Sequence, residues 1–222
     1  MTTTAARYLY LARHGEASPD ETELTANGRR QAVLLGERLR GRPLSAIHHS
    51  PLPRAAQTAR LIAEQFTQRP AGPGLPGVPA DPGVLLRPSE PAGDYLPYVP
   101  DRSELPADAA DALLGFLSRF PPEARDHGPA LAREAEALFT GPVPGDEPRH
   151  ELVVTHNFLI GWLVRAAQDA PDWRWLGLNH ANAALTVIRY APGRPSSVLF
   201  YNDMSHLPAD LRWTGFPPEL RA

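Results

Sequence analysis

The chain has no cysteine among its 222 residues. Disulfides, thiolate nucleophiles and cysteine-ligated metal centres are therefore excluded. Lysine is absent too, so all 22 basic side chains are arginine. Alanine, proline and glycine are abundant, and this usage reads as coding bias of a GC-rich genome. The position of an arginine, rather than the number of arginines, must therefore carry any argument. The net charge of −3 gives no whole-chain basic bias towards nucleic acid. No apolar run is long enough to cross a bilayer, and the short polar stretch Met1 to Ala6 has no apolar leader core. The resulting expectation is a soluble cytoplasmic protein without a membrane or nucleic-acid partner. His48 and His49 adjoin at a strand end, where neighbouring side chains point to opposite faces. His127, His150, His180 and His206 lack the close paired spacing of zinc ligands, so neither a metal nor a cofactor is expected.

Strands and helices alternate along the chain. An apolar run, Tyr8-Leu9-Tyr10-Leu11-Ala12, opens the series. Thr25 can cap a helix reaching about Arg40, with Ala32, Leu35 and Leu39 facing inward. A short strand, Leu44 to His48, precedes a second helix. There Ser50 reads as N-cap and Pro51 as first helical residue, and the helix runs to about Phe66. Between Pro70 and Pro100 lie nine prolines and five glycines, which allow little regular structure beyond Val84-Leu85-Leu86. Helices follow near 107–120 and 129–139. Next come a strand, Glu151 to Thr155, and a helix from Phe158 to Gln168. Two β-rich runs, 184–190 and 197–202, read as a hairpin around Pro192-Gly193-Arg194-Pro195. The pattern predicts a single α/β domain over 1–222: a three-layer αβα sandwich around a mixed, mostly parallel sheet. A Pro/Gly-rich cap or insertion occupies about 70–145.

The chemistry concentrates at strand ends. Arg13-His14-Gly15-Glu16 follows the first strand directly, setting an imidazole beside a guanidinium. An imidazole nitrogen can attack phosphorus while fixed positive charge holds the phosphoryl oxygens. A second strand delivers His156, followed by Asn157, and open α/β sheets bind ligands outside such ends. The plainer role for His156 is a capping or core histidine satisfied by backbone. Arg54 lies in the first turn of the second helix, where free amides and the helix dipole already favour an anion. Its plainer role is a solvated helix-face arginine.

In these blocks the chain resembles the histidine phosphatase superfamily, the phosphoglycerate-mutase-like group. The matching stretches are Arg13-His14-Gly15-Glu16, Leu24 to Ala32, Ser50 to Ala59, Val153-Val154-Thr155-His156 and Asn182 to Ile188, in that order. The resemblance implies that His14 becomes phosphohistidine and that Arg13, Arg54 and His156 complete the phosphate pocket. Asn157 is carried as a further substrate-binding candidate. The family also uses a carboxylic acid to protonate the leaving group. Here Leu85-Leu86-Arg87 is followed by Pro88, which cannot carry a proton. Glu90 is the candidate acid, with Asp81, Asp94, Asp101 and Glu104 as competitors.

A neutral imidazole is the reactive form, and a neighbouring guanidinium disfavours its protonation. Arginine forks grip phosphoryl oxygens bidentately and stay charged. The mutases of the family carry a longer stretch after the nucleophile with aromatic residues and asparagine. Glu16-Ala17-Ser18-Pro19-Asp20-Glu21-Thr22 is short and lacks both tryptophan and asparagine, which favours transfer to water. The expected activity is thus a phosphomonoester phosphatase acting on a phosphorylated small molecule or a phosphoprotein. The alternatives are a phosphoglycerate-type phosphomutase and, were the acid missing, a domain that binds phosphorylated ligands without turnover. Tyr95 and Tyr98 are candidates to meet the organic part of the substrate if the Pro/Gly-rich segment walls the pocket, the other reading being a solvated surface insertion. Trp162, Trp173 and Trp175 are candidates for a substrate groove, with burial the plainer role for Trp162.

Overall fold

The structure is a computed structural model that describes residues 3–67 and 84–221. Asp81 and the first part of the Pro/Gly-rich segment lie outside the described residues. A short pair, β1 (Thr4–Ala5) and β5 (Val143–Pro144), ties the start of the chain to its middle. The main sheet contains β2 (Arg7–Arg13), β3 (Leu44–His49), β4 (Leu85–Pro88), β6 (Arg149–Thr155), β7 (Leu185–Tyr190) and β8 (Ser197–Asp203). Their spatial order is β4-β3-β6-β2-β7-β8. The first four are mutually parallel, and β7 and β8 run antiparallel to their neighbours.

The period-2 pattern of β2 explains the layering. Leu9 and Leu11 face one core with Val153 and Ile188, whereas Tyr10 and Ala12 face the other with Leu152 and Val154. The second core is covered by α1 (Ala26–Leu39) and α2 (Pro53–Thr67). α4 (Pro122–Phe139) and α5 (Asn157–Ala167) cover the first, with α3 (Ala110–Leu117) at its margin. Helices thus flank both faces of a mixed sheet, as the alternation of elements predicts.

Several boundaries differ from expectation, each for a local reason. α1 begins as predicted, with the Thr25 hydroxyl accepting from Gly28 N at 3.0 Å. α2 starts at Pro53 rather than Pro51, because the residue before a proline is pushed out of the helical region. Ser50 Oγ accepts instead from Leu52 N at 3.2 Å, closing a turn ahead of the helix. α3 is shorter than 107–120, ending in a turn before Pro121-Pro122, which bars further helix at Phe120. α4 begins at Pro122 and runs through Pro129, the residue at which the sequence pattern starts it. Pro129 forgoes one helical hydrogen bond, and burial of Ala132, Ala135 and Phe139 offsets the loss. Just ahead of it, Gly128 lets α4 pass against the backbone of the 90s segment: a Cβ there would meet Leu96 O at 1.9 Å.

Candidate active site

The sheet order brings the reactive strand ends together. β6 lies between β2 and β3, and its register pairs Arg13 with Thr155. The residues immediately beyond are therefore neighbours: His14 N donates to Thr155 O at 3.0 Å. The rings of His14 and His156 stand 5.1 Å apart between centroids. β3 leads into α2, whose first turn delivers Arg54 to the same place. Arg54 Nε donates to His14 Nε2 at 3.3 Å.

The tautomer of His14 follows from its other nitrogen. Nδ1 lies 2.8 Å from Gly15 O, so Nδ1–H donates to that carbonyl and the Nε2 lone pair faces the cavity. The imidazole is 6 % exposed. Burial holds its pKa well below the usual imidazole range; His156, Arg13 and Arg54 add to this, while the Gly15 carbonyl opposes it. His14 is thus neutral at neutral pH. His156 is depressed as well, first by burial and then by Arg54 and Arg13. Both of its ring nitrogens are buried without a hydrogen-bond partner, and Nδ1 lies 3.5 Å from Asp94 Oδ2. Orphaned polar atoms of this kind in a cavity wall fit a ligand that supplies oxygens.

Arg13 is anchored rather than loose. Its Nη1 donates to His180 O at 2.8 Å and to Gly215 O at 2.6 Å, while its buried Nε has no partner. Asn157 holds this arrangement in place. Its Oδ1 accepts from His180 N at 2.7 Å and its Nδ2 donates to Asn179 Oδ1 at 3.4 Å. Asn157 lines the cavity, yet its amide is engaged in fixing the loop that clamps Arg13. The second clamp comes from the tail beyond β8, which curls back so that Gly215 and Phe216 border the site. No motif in the tail marks it from sequence.

The carboxylate that the fold brings here is Asp94. Arg54 Nη2 donates to Asp94 Oδ2 at 2.8 Å. Glu90, the first choice from sequence, is exposed and absent from the cavity lining. The reason is a 3₁₀ turn, Glu90–Ala92, pinned by Thr155 Oγ1 donating to Ala92 O at 2.6 Å. The pinned turn sends Glu90 to solvent and aims Asp94, four residues on, at His156 and Arg54. Asp94 is 36 % exposed at its side chain, but its carboxylate lies within the pocket wall. Burial pushes its pKa up, against the opposing pull of Arg54 and Arg13. Glu104 bonds Tyr98 and the backbone of Asp101 instead, so this pair closes a turn away from the site. Glu21, unremarked in the sequence, reaches Arg54 Nη1 at 3.3 Å from the rim.

Arg13, His14, Glu21, Asp94 and His156 line a cavity of about 640 Å³. Tyr95 contributes to its wall, whereas Tyr98 stacks on Trp162 at 6.3 Å between centroids and stays outside the lining. Trp162 and Trp175 are buried in the core and do not form a groove. Among the described residues no three His, Asp or Glu side chains are grouped as a metal ion requires.

A neutral, tautomer-fixed imidazole among two guanidiniums, a second imidazole and a carboxyl group, all at the carboxyl ends of parallel strands, defines a phosphoryl-transfer type of site on an αβα sandwich. The chain belongs to the histidine phosphatase superfamily (branch 1), whose sequence profile matches residues 9–71 and 101–203. Among curated proteins it is similar to "Serine/threonine-protein phosphatase Pgam5, mitochondrial" of Caenorhabditis elegans, at 29 % identity over 214 residues. The protein of that name from Mus musculus is 26 % identical over 216 residues. The alignments cover 92 % and 93 % of this chain but only 66 % of each relative, so the chain spans about two thirds of their length. Solved structures give the same fold. A protein described as mycobacterial hydrolase 1 superposes with a TM-score of 0.61 at 24 % identity, covering 89 % of this chain and 99 % of that one. A phosphoglycerate mutase from Plasmodium falciparum reaches 0.57 at 20 %, covering 92 % and 96 %. The expectation of a cytoplasmic location is corrected by these comparisons, since both curated relatives are named mitochondrial. Among the described residues no helix is long and apolar enough to cross a membrane.

Proposed function

We propose that the protein is a phosphomonoester phosphatase working through a phosphohistidine on His14. The observation that carries this reading is the direction of His14 Nε2. The Gly15 carbonyl leaves the lone pair on Nε2, where Arg54 Nε meets it beside the cavity that His14, His156, Arg13 and Asp94 line.

In the first step Nε2 attacks phosphorus in line, the P–N bond forms and the P–O bond to the leaving alcohol breaks. Arg13, Arg54 and His156 hold the non-bridging oxygens as charge moves among them. Asp94 donates its proton to the departing alkoxide. Its raised pKa favours the protonated form, and a bound phosphoryl dianion raises it further by like-charge repulsion. In the second step the ionised Asp94 takes a proton from water, the water oxygen attacks phosphorus and the P–N bond breaks. Phosphate leaves and His14 returns neutral. The cycle as written draws on side chains and water alone.

We read the chain as one domain in which the segment from about 70 to 145 contributes the cavity wall, through Tyr95, Leu96, Phe116 and Phe120. Substrates in both classes, phosphorylated small molecules and phosphoproteins, fit an open cavity of this size. The relatives named as serine/threonine-protein phosphatases support the phosphatase reading. The test is hydrolysis of 4-nitrophenyl phosphate together with alkaline-quench trapping of labelled phosphoenzyme, for the parent protein and His14→Ala. Turnover with an acid-labile label, both lost in the variant, is the expected result. Isomerisation of a bisphosphate-primed phosphoglycerate faster than hydrolysis would reassign the enzyme to the mutases.

A further inference from the structure

The cavity has two unlike halves. One holds His14, His156, Arg13, Asp94 and Glu21 with the amides of Asn157 and Asn179; the other is apolar and largely aromatic. Phe116 from α3, Phe120 just beyond it and Phe158 from α5 meet edge to face, with centroids 5.3 to 6.0 Å apart. Leu96 and Phe216 extend the same wall. The three clustered phenylalanines are only partly buried. Their rings pack on the core with one side and leave the other as cavity surface, at a cost that a contacting apolar group would recover. Phe158 follows His156 by two residues at the start of α5, so the wall stands at a set distance from the phosphoryl groups.

The distribution of charge sharpens the picture. Among the described residues lining the cavity, Arg13 is the one guanidinium, and Arg54 stands behind it against His14. Both belong to the phosphoryl half. A second anionic group on the substrate, a carboxylate or another phosphate, would face phenylalanines, the acids Glu21 and Asp94, or the neutral amides of Asn157 and Asn179, with no cation to pair it. Placing an unpaired anion there is costly.

We infer that the preferred substrates are monophosphate esters of uncharged, apolar alcohols, their organic part seated on the Phe116, Phe120 and Phe158 wall. The inference rests on the phosphatase reading and deepens it. It disfavours phosphoglycerates, bisphosphates and phosphopeptides with charged flanks.

The test compares three alkyl esters whose leaving alcohols have similar acidity: 2-phenylethyl phosphate, glycerol 1-phosphate and 3-phosphoglycerate. A phosphoserine peptide and 4-nitrophenyl phosphate complete the panel. The expected kcat/KM for 2-phenylethyl phosphate exceeds that for glycerol 1-phosphate by about tenfold or more, equal to about 1.4 kcal/mol. 3-Phosphoglycerate is expected to be slower still. Phe120→Arg should narrow the gap between the phenylethyl ester and 3-phosphoglycerate, and Phe116→Ala should lower the phenylethyl preference without a new charge. Equal or reversed rates in the parent protein, or a faster phosphoserine peptide, alongside His14-dependent hydrolysis of 4-nitrophenyl phosphate, would overturn the substrate class and leave the phosphatase reading standing. Failure to hydrolyse any ester, the nitrophenyl one included, would remove both.

Discussion

Gly15 and Gly28 touch backbone to backbone. A Cβ on Gly15 would lie 2.5 Å from Gly28 O, and a Cβ on Gly28 would lie 1.9 Å from Glu16 O. The loop carrying the nucleophile is thereby seated on the first turn of α1. Gly15 N also donates to Thr58 Oγ1 at 3.0 Å, and Glu16 N donates to Gln31 Oε1 at 2.8 Å. Because the opposing atoms are backbone, they have little room to retreat. Gly28→Ala should therefore destabilise the fold by about 1–3 kcal/mol and lower kcat by displacing His14. Thermal unfolding and steady-state kinetics on one preparation check both effects; a silent substitution would show that this contact is not needed to seat the loop.

Asp94→Asn should separate substrates by their leaving groups. An alkyl phosphate needs its departing oxygen protonated, so its kcat is expected to fall by about 10²–10⁴. 4-Nitrophenyl phosphate leaves as a stable phenolate and should lose much less. Glu90→Ala, altering a solvent-facing side chain, should change neither rate appreciably. Equal losses for both esters in Asp94→Asn would deny it the role of proton donor.

The rate on an alkyl phosphate should decline as pH rises through the elevated Asp94 pKa, because the donor is then ionised. That limb should disappear in Asp94→Asn. On the acid side, His14 keeps its neutral form below the ordinary imidazole range. No loss from nucleophile protonation is therefore expected near pH 6.5. A pH profile of kcat that falls there in parallel with imidazole protonation would contradict the burial of His14.

Glu21→Gln should strengthen phosphate binding. Glu21 is largely exposed and adopts φ 59°, an uncommon backbone for this residue, while its carboxylate stands 3.3 Å from Arg54 Nη1. It competes there with phosphoryl oxygens for the same guanidinium. A pair whose carboxylate is this exposed is worth up to about 1 kcal/mol, so inhibition by inorganic phosphate should tighten by up to about fivefold. Unchanged or weaker inhibition would remove Glu21 as a competitor.

Acid should unfold the protein through its buried histidines. Burial first, then nearby arginine charge, pushes His206 down to about 4 and His180 to about 3. The unfolded chain takes up these protons near pH 6.5, whereas the folded chain refuses them until far lower. The unfolded state thus binds more protons in between, and stability must fall as pH drops. This contribution is complete above about 6.5 and is lost progressively towards 4 and below. Melting temperatures at pH 7.5, 6 and 4.5 check it, and His206→Gln should give a shallower slope. A flat profile over that window would contradict the burial.

Much of the architecture was legible in local pattern. The alternation along β2 separates its two cores, Thr25 caps α1, and the closing hairpin makes the sheet mixed. Arg13, His14, Arg54 and His156 stood out because each lies at the end of a strand or the start of a helix. Glu90 and Asp94 are four residues apart in a segment without periodicity, and nothing local told them apart. What separates them is the hydrogen bond from Thr155 to Ala92 O, made across 63 positions of sequence.

By itself, then, the sequence determined the layered sheet, the strand ends that carry imidazole and guanidinium, and the absence of thiol chemistry. These follow from side-chain period, capping and composition, which act over a few residues. Only the tertiary structure decided which carboxyl group meets His156 and Arg54, which carbonyls clamp Arg13 and how the phenylalanines of α3 and α5 form one wall. Those depend on strand order and register, which place residues far apart in the chain within a few ångströms of one another.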